Sequence, residues 1–225
     1  IEEVDWSVGE VLKSLKSLRI DHNTLVIFTS DNGAAVGTSL PLRAKKGSVY
    51  DGGIREPTVM WWPGRIPAGK ICGEVAATID LLPTLAKLCG GKLSGRKIDG
   101  KDIWPLMSGQ SKAKSPHENY VLMHGPGAVR SGKWKFYPWQ EGRGGKRHDR
   151  AKNPSPDPVQ LYDTQADIGE TKNLASKHPA IVRRMQVAYD AHVSEIKASK
   201  RPNQEMKRST SKPSADRPNT PKKKK

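Results

Sequence analysis

Apolar positions along the first ninety or so residues follow two different rhythms. Val4, Val8, Val11, Leu12, Leu15 and Leu18 recur at three- and four-residue steps, which puts them on one face of a helix spanning Glu3 to Arg19. From Thr24 to Ser30 the spacing collapses into an unbroken run containing Leu25, Val26, Ile27 and Phe28. A run without alternation suits a strand covered on both faces, as in parallel α/β sheets. Helix followed by strand is one step of a doubly wound sheet. Thr58 to Trp62, bounded by Pro57 and Pro63, reads as the next strand, and Glu74 to Thr78 as another short one. Asp80 is placed to cap a helix that carries Leu81, Leu82, Leu85 and Leu88 and stops at Gly90 and Gly91. Pro83 falls in its first turn, where proline is tolerated.

After residue 115 the pattern shortens. Asn119 to Met123, Gly127 to Arg130, Lys133 to Tyr137 and Val159 to Tyr162 read as short antiparallel strands, with Ser131 and Gly132 as the hairpin turn between the second and third. Pro179 to Ala198 reads as a helix with Ile181, Met185, Ala188, Tyr189, His192 and Ile196 inward. His192 is expected to be a packed histidine. The expected fold class is therefore α/β: part of a doubly wound sheet over residues 1–115, a small α+β unit over 116–198 with a four-stranded antiparallel sheet and a helix, and a basic tail over 199–225.

Chemistry concentrates where the first strand ends. Ligands of open α/β sheets sit beyond the carboxyl ends of strands, and there Asp31 and Asn32 offer a carboxylate and an amide oxygen. Such donors suit Ca²⁺ or Mg²⁺, not a thiophilic metal. Neighbouring strand residues point to opposite faces, so sharing one ion requires a bend, which Gly33 permits. The same three residues also compose an ordinary turn. Lys46 lies in a glycine-punctuated loop where an ammonium can approach a sulfate or phosphate as a point charge and stabilise a leaving-group oxygen.

Together, Asp31-Asn32-Gly33 after an apolar strand and the segment from Leu42 to Pro57 (LRAKKGSVYDGGIREP) resemble the carboxyl-terminal half of formylglycine-dependent, arylsulfatase-like sulfatases. Trp62 to Arg65, Ala77 to Leu85, Ile98 to Gly100, Leu161 to Asp163 and Glu170 to Ala175 extend the resemblance across about residues 1 to 197. It implies an alkaline-phosphatase-like fold, Asp31 and Asn32 as Ca²⁺ ligands, and Lys46 as a catalytic lysine contacting the substrate sulfate. Arg55 and Glu56 are expected as a structural pair shaping the loop. In such enzymes loops of the small subdomain border the cleft, so His124 is a candidate to bind or protonate the alcohol portion of substrate; a loop histidine without a role is the competing reading. Arg130 could pair with Asp163 or meet substrate.

The family's nucleophile is a formylglycine made from the cysteine of a Cys-x-Pro-x-Arg motif. Neither Cys72 nor Cys89 stands in one. The chain therefore reads as a carboxyl-terminal portion, expected to be inactive alone. The resemblance implies sulfuric ester hydrolysis of a sulfated small molecule or glycan by the intact enzyme, and a periplasmic or secreted location. A phosphonate or phosphodiester hydrolase of the same superfamily, and a non-enzymatic polyanion-binding protein, remain alternatives.

Composition adjusts this picture only at the end of the chain. Two cysteines are too few for a disulfide-built protein, and no apolar run approaches the length of a membrane span. The net charge is +16. The 199–225 tail carries ten basic and two acidic residues, so about half of that excess lies in a segment with little apolar material to fold around. Gly142 to Lys152 is a second basic stretch. Aromatic residues do not interleave with the tail's charge, and no nucleic-acid-binding signature accompanies it, so no specific nucleic-acid partner is expected. A solvated arm is the simpler reading, one that could touch anionic polysaccharide or a membrane surface.

Overall fold

The computed structural model describes residues 2–95, 97–123, 127–138 and 159–199. The first helix, α1 (Glu2–Ser17), has Glu2, Glu3 and Asp5 in its opening turn, where acidic side chains favour the positive end of the helix dipole. A single turn at Asp21–Asn23 leads into β1 (Val26–Thr29). After the long loop come α2 (Asp51–Ile54) and β2 (Thr58–Trp61), which pairs with β1 in antiparallel register, Ile27 opposite Met60 and Phe28 opposite Val59. The parallel pairing expected of a doubly wound step is thus not the one β1 makes among the described residues.

Burial corrects a second expectation. Ile27 and Met60 share one face of the pair and pack, with Leu25, on Ile103, Trp104, Leu106 and Met107 at α4 (Trp104–Met107). Phe28 and Val59 share the other face, and they remain 43% and 62% exposed. The strand is covered on one side only. The expected inward face of α1 is likewise open. None of its described residues is buried, and Val4, Val11 and Leu18 are exposed.

Glu74 to Thr78 is not a strand. Its backbone is tied to side chains: Val75 O accepts the Ser115 hydroxyl at 2.5 Å, and the Ala77 N–H donates to Asp80 Oδ2 at 2.8 Å. Helix α3 (Leu81–Leu88) follows, but Leu82 and Leu85 face outward. The side it buries holds Pro83 and Thr84, because the Thr84 hydroxyl donates to Asp80 O and accepts the Ile103 N–H at 2.9 Å. Hydrogen bonding has overridden the leucine pattern. The helix ends as its glycines require. Gly90 takes φ +67°, and the Gly91 N–H returns to Ala86 O at 2.7 Å.

The remaining strands, β3 (Tyr120–Leu122), β4 (Ala128–Ser131), β5 (Trp134–Tyr137) and β6 (Gln160–Asp163), form a four-stranded antiparallel sheet in sequential order. Ser131 pairs with Trp134, so the hairpin turn is Gly132-Lys133, one residue later than the sequence suggests, with Gly132 at φ +53°. Helix α5 (Pro179–Ser199) lies across one face and buries Met185 and Tyr189 against Val129, Phe136 and Leu161. Ile196, expected inward, is exposed instead, while Val182 and Val193 join the core. His192 is half-buried. On the opposite face, Ala128, Tyr137 and Tyr162 meet Val49 and Tyr50, which bring the long loop onto this sheet.

Candidate functional site

The turn after β1 is held by backbone. The Ser30 hydroxyl donates to Asn32 O at 3.0 Å, and the Gly33 N–H donates to Gly53 O at 3.1 Å. Gly33 is required for space and not for an unusual backbone angle. Its φ is not left-handed, but a Cβ there would stand 1.9 Å from Gly52 O. Gly52 and Gly53 are equally confined, by the carbonyls of Arg43, Ala44, Lys45 and Ser48 at 2.2–2.6 Å from their hypothetical Cβ atoms. Asp31-Asn32-Gly33, the loop around Lys46, and the first turn of α2 thus stack backbone on backbone.

Lys46 belongs to that stack. Its N–H donates to Ala34 O at 3.3 Å, two residues beyond Asn32, and its side chain is exposed. Gly47 turns the chain at φ +89° and Ala44 sits at φ +62°. Arg43 turns the other way. Its guanidinium lies 3.8 Å from the Tyr50 ring centroid and donates to Tyr162 Oη and Glu170 O, both at 2.9 Å. Burial pushes the Tyr50 phenol up to about 12, so it stays protonated and donates to Gln160 Oε1 at 2.9 Å. Sequence reading separated these two basic residues only by resemblance. The structure separates them by burial.

Asp31 is exposed and Asn32 half-buried. The expected Arg55–Glu56 pair is not formed: Arg55 reaches Asp51 Oδ2 at 3.6 Å, whereas Glu56 Oε1 is buried without a hydrogen-bond partner. Burial and then the charge of Asp31 push the Glu56 carboxyl above its ordinary range. An orphaned carboxylate oxygen in the field of a second carboxylate is the situation a hard cation relieves, so the donors at this strand end fit Ca²⁺ in kind. They do not fill its shell. Among the described residues no three His, Cys, Asp or Glu side chains converge as a metal set.

His124 lies outside the described residues, as do Gly142 to Lys152 and the tail beyond Ser199. Arg130 does not pair with Asp163: its Nε donates to Gly132 O at 2.7 Å and its Nη1 lies 3.8 Å from Asp51 Oδ2. Asp163 is taken by Lys133, 2.6 Å away, because the hairpin places Lys133 beside the end of β6. What sequence reading missed is the charge buried behind the loop: Asp51, Lys135, Tyr137 and Glu170. The available signal was Lys135, a lone cation inside the aromatic strand Trp134-Lys135-Phe136-Tyr137.

Comparison with known proteins places the chain among relatives. The family model described as Sulfatase matches residues 1–91. Human arylsulfatase A is 36% identical over 192 residues, covering 76% of this chain and 37% of the relative. Dog (Canis lupus familiaris) N-acetylgalactosamine-6-sulfatase is 41% identical over 150 residues, covering 62% and 28%. A sulfatase structure from work on glycosaminoglycan metabolism by Bacteroides thetaiotaomicron superposes with TM-score 0.70 at 27% identity, covering 87% of this chain and 43% of that one. The chain thus spans well under half the length of the relatives it matches.

Proposed function

The chain belongs to the sulfatase family of sulfuric ester hydrolases, and from that membership we propose that Asp31, Asn32 and Lys46 form part of the sulfate-binding centre of a longer enzyme. It shares the alkaline-phosphatase-like α/β fold of its structural neighbours. One observation carries the reading. The Asp31-Asn32 turn and the Lys46 loop are joined through the Gly33–Gly53 and Lys46–Ala34 hydrogen bonds, so hard oxygen donors and an exposed ammonium rise from contiguous backbone.

In this reading Asp31 and Asn32 are ligands of Ca²⁺, which when bound would withdraw charge from the sulfate oxygens. The formylglycine nucleophile would come from outside these 225 residues. Lys46 binds a sulfate oxygen by charge and hydrogen bond, and it stabilises negative charge that grows on the ester oxygen as the S–O bond lengthens. The transferred group is anionic throughout, so aimed positive charge is the main thing the protein can supply. His124 is assigned to the alcohol side of the ester.

The residue ranges 1–115, 116–198 and 199–225 serve as catalytic-domain part, small subdomain and tail. A sulfated sugar is the proposed substrate, by analogy with relatives named for such compounds. The tail would hold polyanionic substrate near the surface, and the proposed location is periplasmic or secreted. Among the described residues no helix is long and apolar enough to cross a membrane. The test is Lys46→Ala in the full-length protein, assayed on an aryl sulfate and on the matching phosphonate ester. A loss of about 100-fold or more in sulfate ester turnover is expected. Near-normal turnover would refute the role.

A further inference from the structure

The Lys46 loop is gripped from behind by charges that water does not reach. Asp51, the first residue of α2, is 4% exposed, and Lys135 of β5 and Glu170 are 1% and 0% exposed. Lys135 Nζ contacts Asp51 Oδ1 and lies 3.3 Å from Glu170 Oε1. The other oxygen of Glu170, Oε2, accepts the backbone N–H of Asp51 at 2.8 Å. The Tyr137 hydroxyl donates to Glu170 Oε1. Burial and then the Glu170 charge hold that phenol well above its ordinary range, so it keeps its proton and remains a donor. Arg43 Nη1 takes the backbone carbonyl of the same Glu170, at 2.9 Å.

These contacts connect to the candidate site through rigid steps. Asp51 begins the turn whose Gly52 and Gly53 pack on the carbonyls of Arg43, Ala44, Lys45 and Ser48. Gly53 O then receives the Gly33 N–H, and Lys46 N–H reaches Ala34 O. No side chain lies between these backbones, so nothing soft absorbs a shift.

Stability alone gives little reason for such a cluster. Replacing a buried ion pair by well-packed apolar groups is often neutral or stabilising, because both charges lose their hydration. What directional charge adds is register, since an ammonium between two carboxylates has one good position where apolar surfaces tolerate sliding. We infer that Lys135, Tyr137 and Glu170 are positioning residues, by which the small antiparallel sheet fixes the Lys46 loop against the Asp31-Asn32 turn. The inference rests on the reading of Lys46 as the sulfate-contacting lysine.

A double-mutant cycle in the full-length enzyme tests it. Tyr137→Phe is the informative change, because both carboxylates keep Lys135 and the fold should survive, which circular dichroism would check. Acting through Lys46, it should lower kcat about 5- to 10-fold and change KM by less than about twofold. In a Lys46→Ala background the same change should cost less than about twofold. Lys135→Met should show the same non-additivity at larger amplitude.

Equal losses in both backgrounds would overturn the positioning role while leaving Lys46 in place. No loss from Tyr137→Phe in the otherwise natural enzyme would also overturn it. Near-normal turnover by Lys46→Ala alone would instead remove the reading underneath, and the inference with it.

Discussion

His117 Nε2 stands 2.8 Å from Oδ1 and 3.0 Å from Oδ2 of Asp80, with both side chains almost wholly removed from water. The same carboxylate accepts the Ala77 N–H at 2.8 Å and the Lys101 N–H at 2.8 Å, so it gathers three chain segments at one buried point. Tyr120 closes the site with its ring edge-on to the imidazole at 5.3 Å. Asp80→Ala should cost about 3 kcal/mol or more, since it strands two backbone donors and the histidine. His117→Ala should cost less, because the backbone bonds survive. Urea titration of the two variants would check the order; a milder Asp80→Ala would contradict it.

Two glycines should respond to alanine with opposite signs. At Gly33 the new methyl group meets the Gly52 carbonyl at 1.9 Å, and backbone cannot swing aside. A loss of about 2–3 kcal/mol is expected there. Gly9 lies within α1 with nothing inside 4 Å, and alanine should stabilise by about 0.5–1 kcal/mol through helix propensity. Thermal melts of both would decide it.

Asp163 carries an acid-sensitive part of the stability. The Lys133 ammonium, foremost, and the N–H groups of Ala166 and Gln165 hold its carboxyl below the usual carboxylate range. A folded-state value below the unfolded one gives stability that is full above the unfolded pKa, about 3.9. That part is lost as pH falls through the lower, folded-state value. Asp163→Asn should therefore destabilise at pH 7 by about 1–2 kcal/mol, and the gap from wild type should shrink toward pH 2. A gap independent of pH would rule out this linkage.

The open apolar faces should be visible in solution. Val4, Trp6, Val11, Leu18, Phe28, Val59 and Leu82 are all exposed, on α1 and the residue after it, one face of the β1–β2 pair and α3. A surface of this kind marks a contact region. The chain expressed by itself should bind the dye ANS with enhanced fluorescence, and Trp6 should emit at a wavelength typical of water. Absence of dye enhancement would show that these faces are covered.

Cation binding offers a check on the strand-end turn that does not depend on turnover. Ca²⁺ should raise the melting temperature of the full-length protein, and chelation should lower it, because a ligand that binds only the folded state stabilises it by mass action. Asp31→Ala should abolish the response. An undiminished shift in that variant would remove Asp31 from the ligand set.

The four strands of the small sheet and helix α5 were legible almost to the residue, because each is amphipathic and packs against its own sequence neighbours. Asp31, Asn32 and Lys46 are singled out by the family resemblance, since taken singly they are ordinary turn and loop residues. Arg43 and Lys46 look alike in the sequence, however, and only packing against Tyr50 and Tyr162 assigns one to the interior. The Arg55–Glu56 pairing failed for a local reason. Arg55 instead meets Asp51 four residues back, across the single turn of α2, a short helix that the sequence pattern did not reveal.

Local pattern determined where the longer helices and most of the strands form, since periodicity and turn residues act within a few positions of one another. It also determined which residues have the chemistry to meet an anion or a hard cation. It could not determine which apolar faces close, why Gly33 must be glycine, or that Lys135 meets Asp51 across 84 positions. Those outcomes depend on long-range packing, where the desolvation of a charge and the volume of a single methyl group are judged against neighbours that only the folded chain brings together.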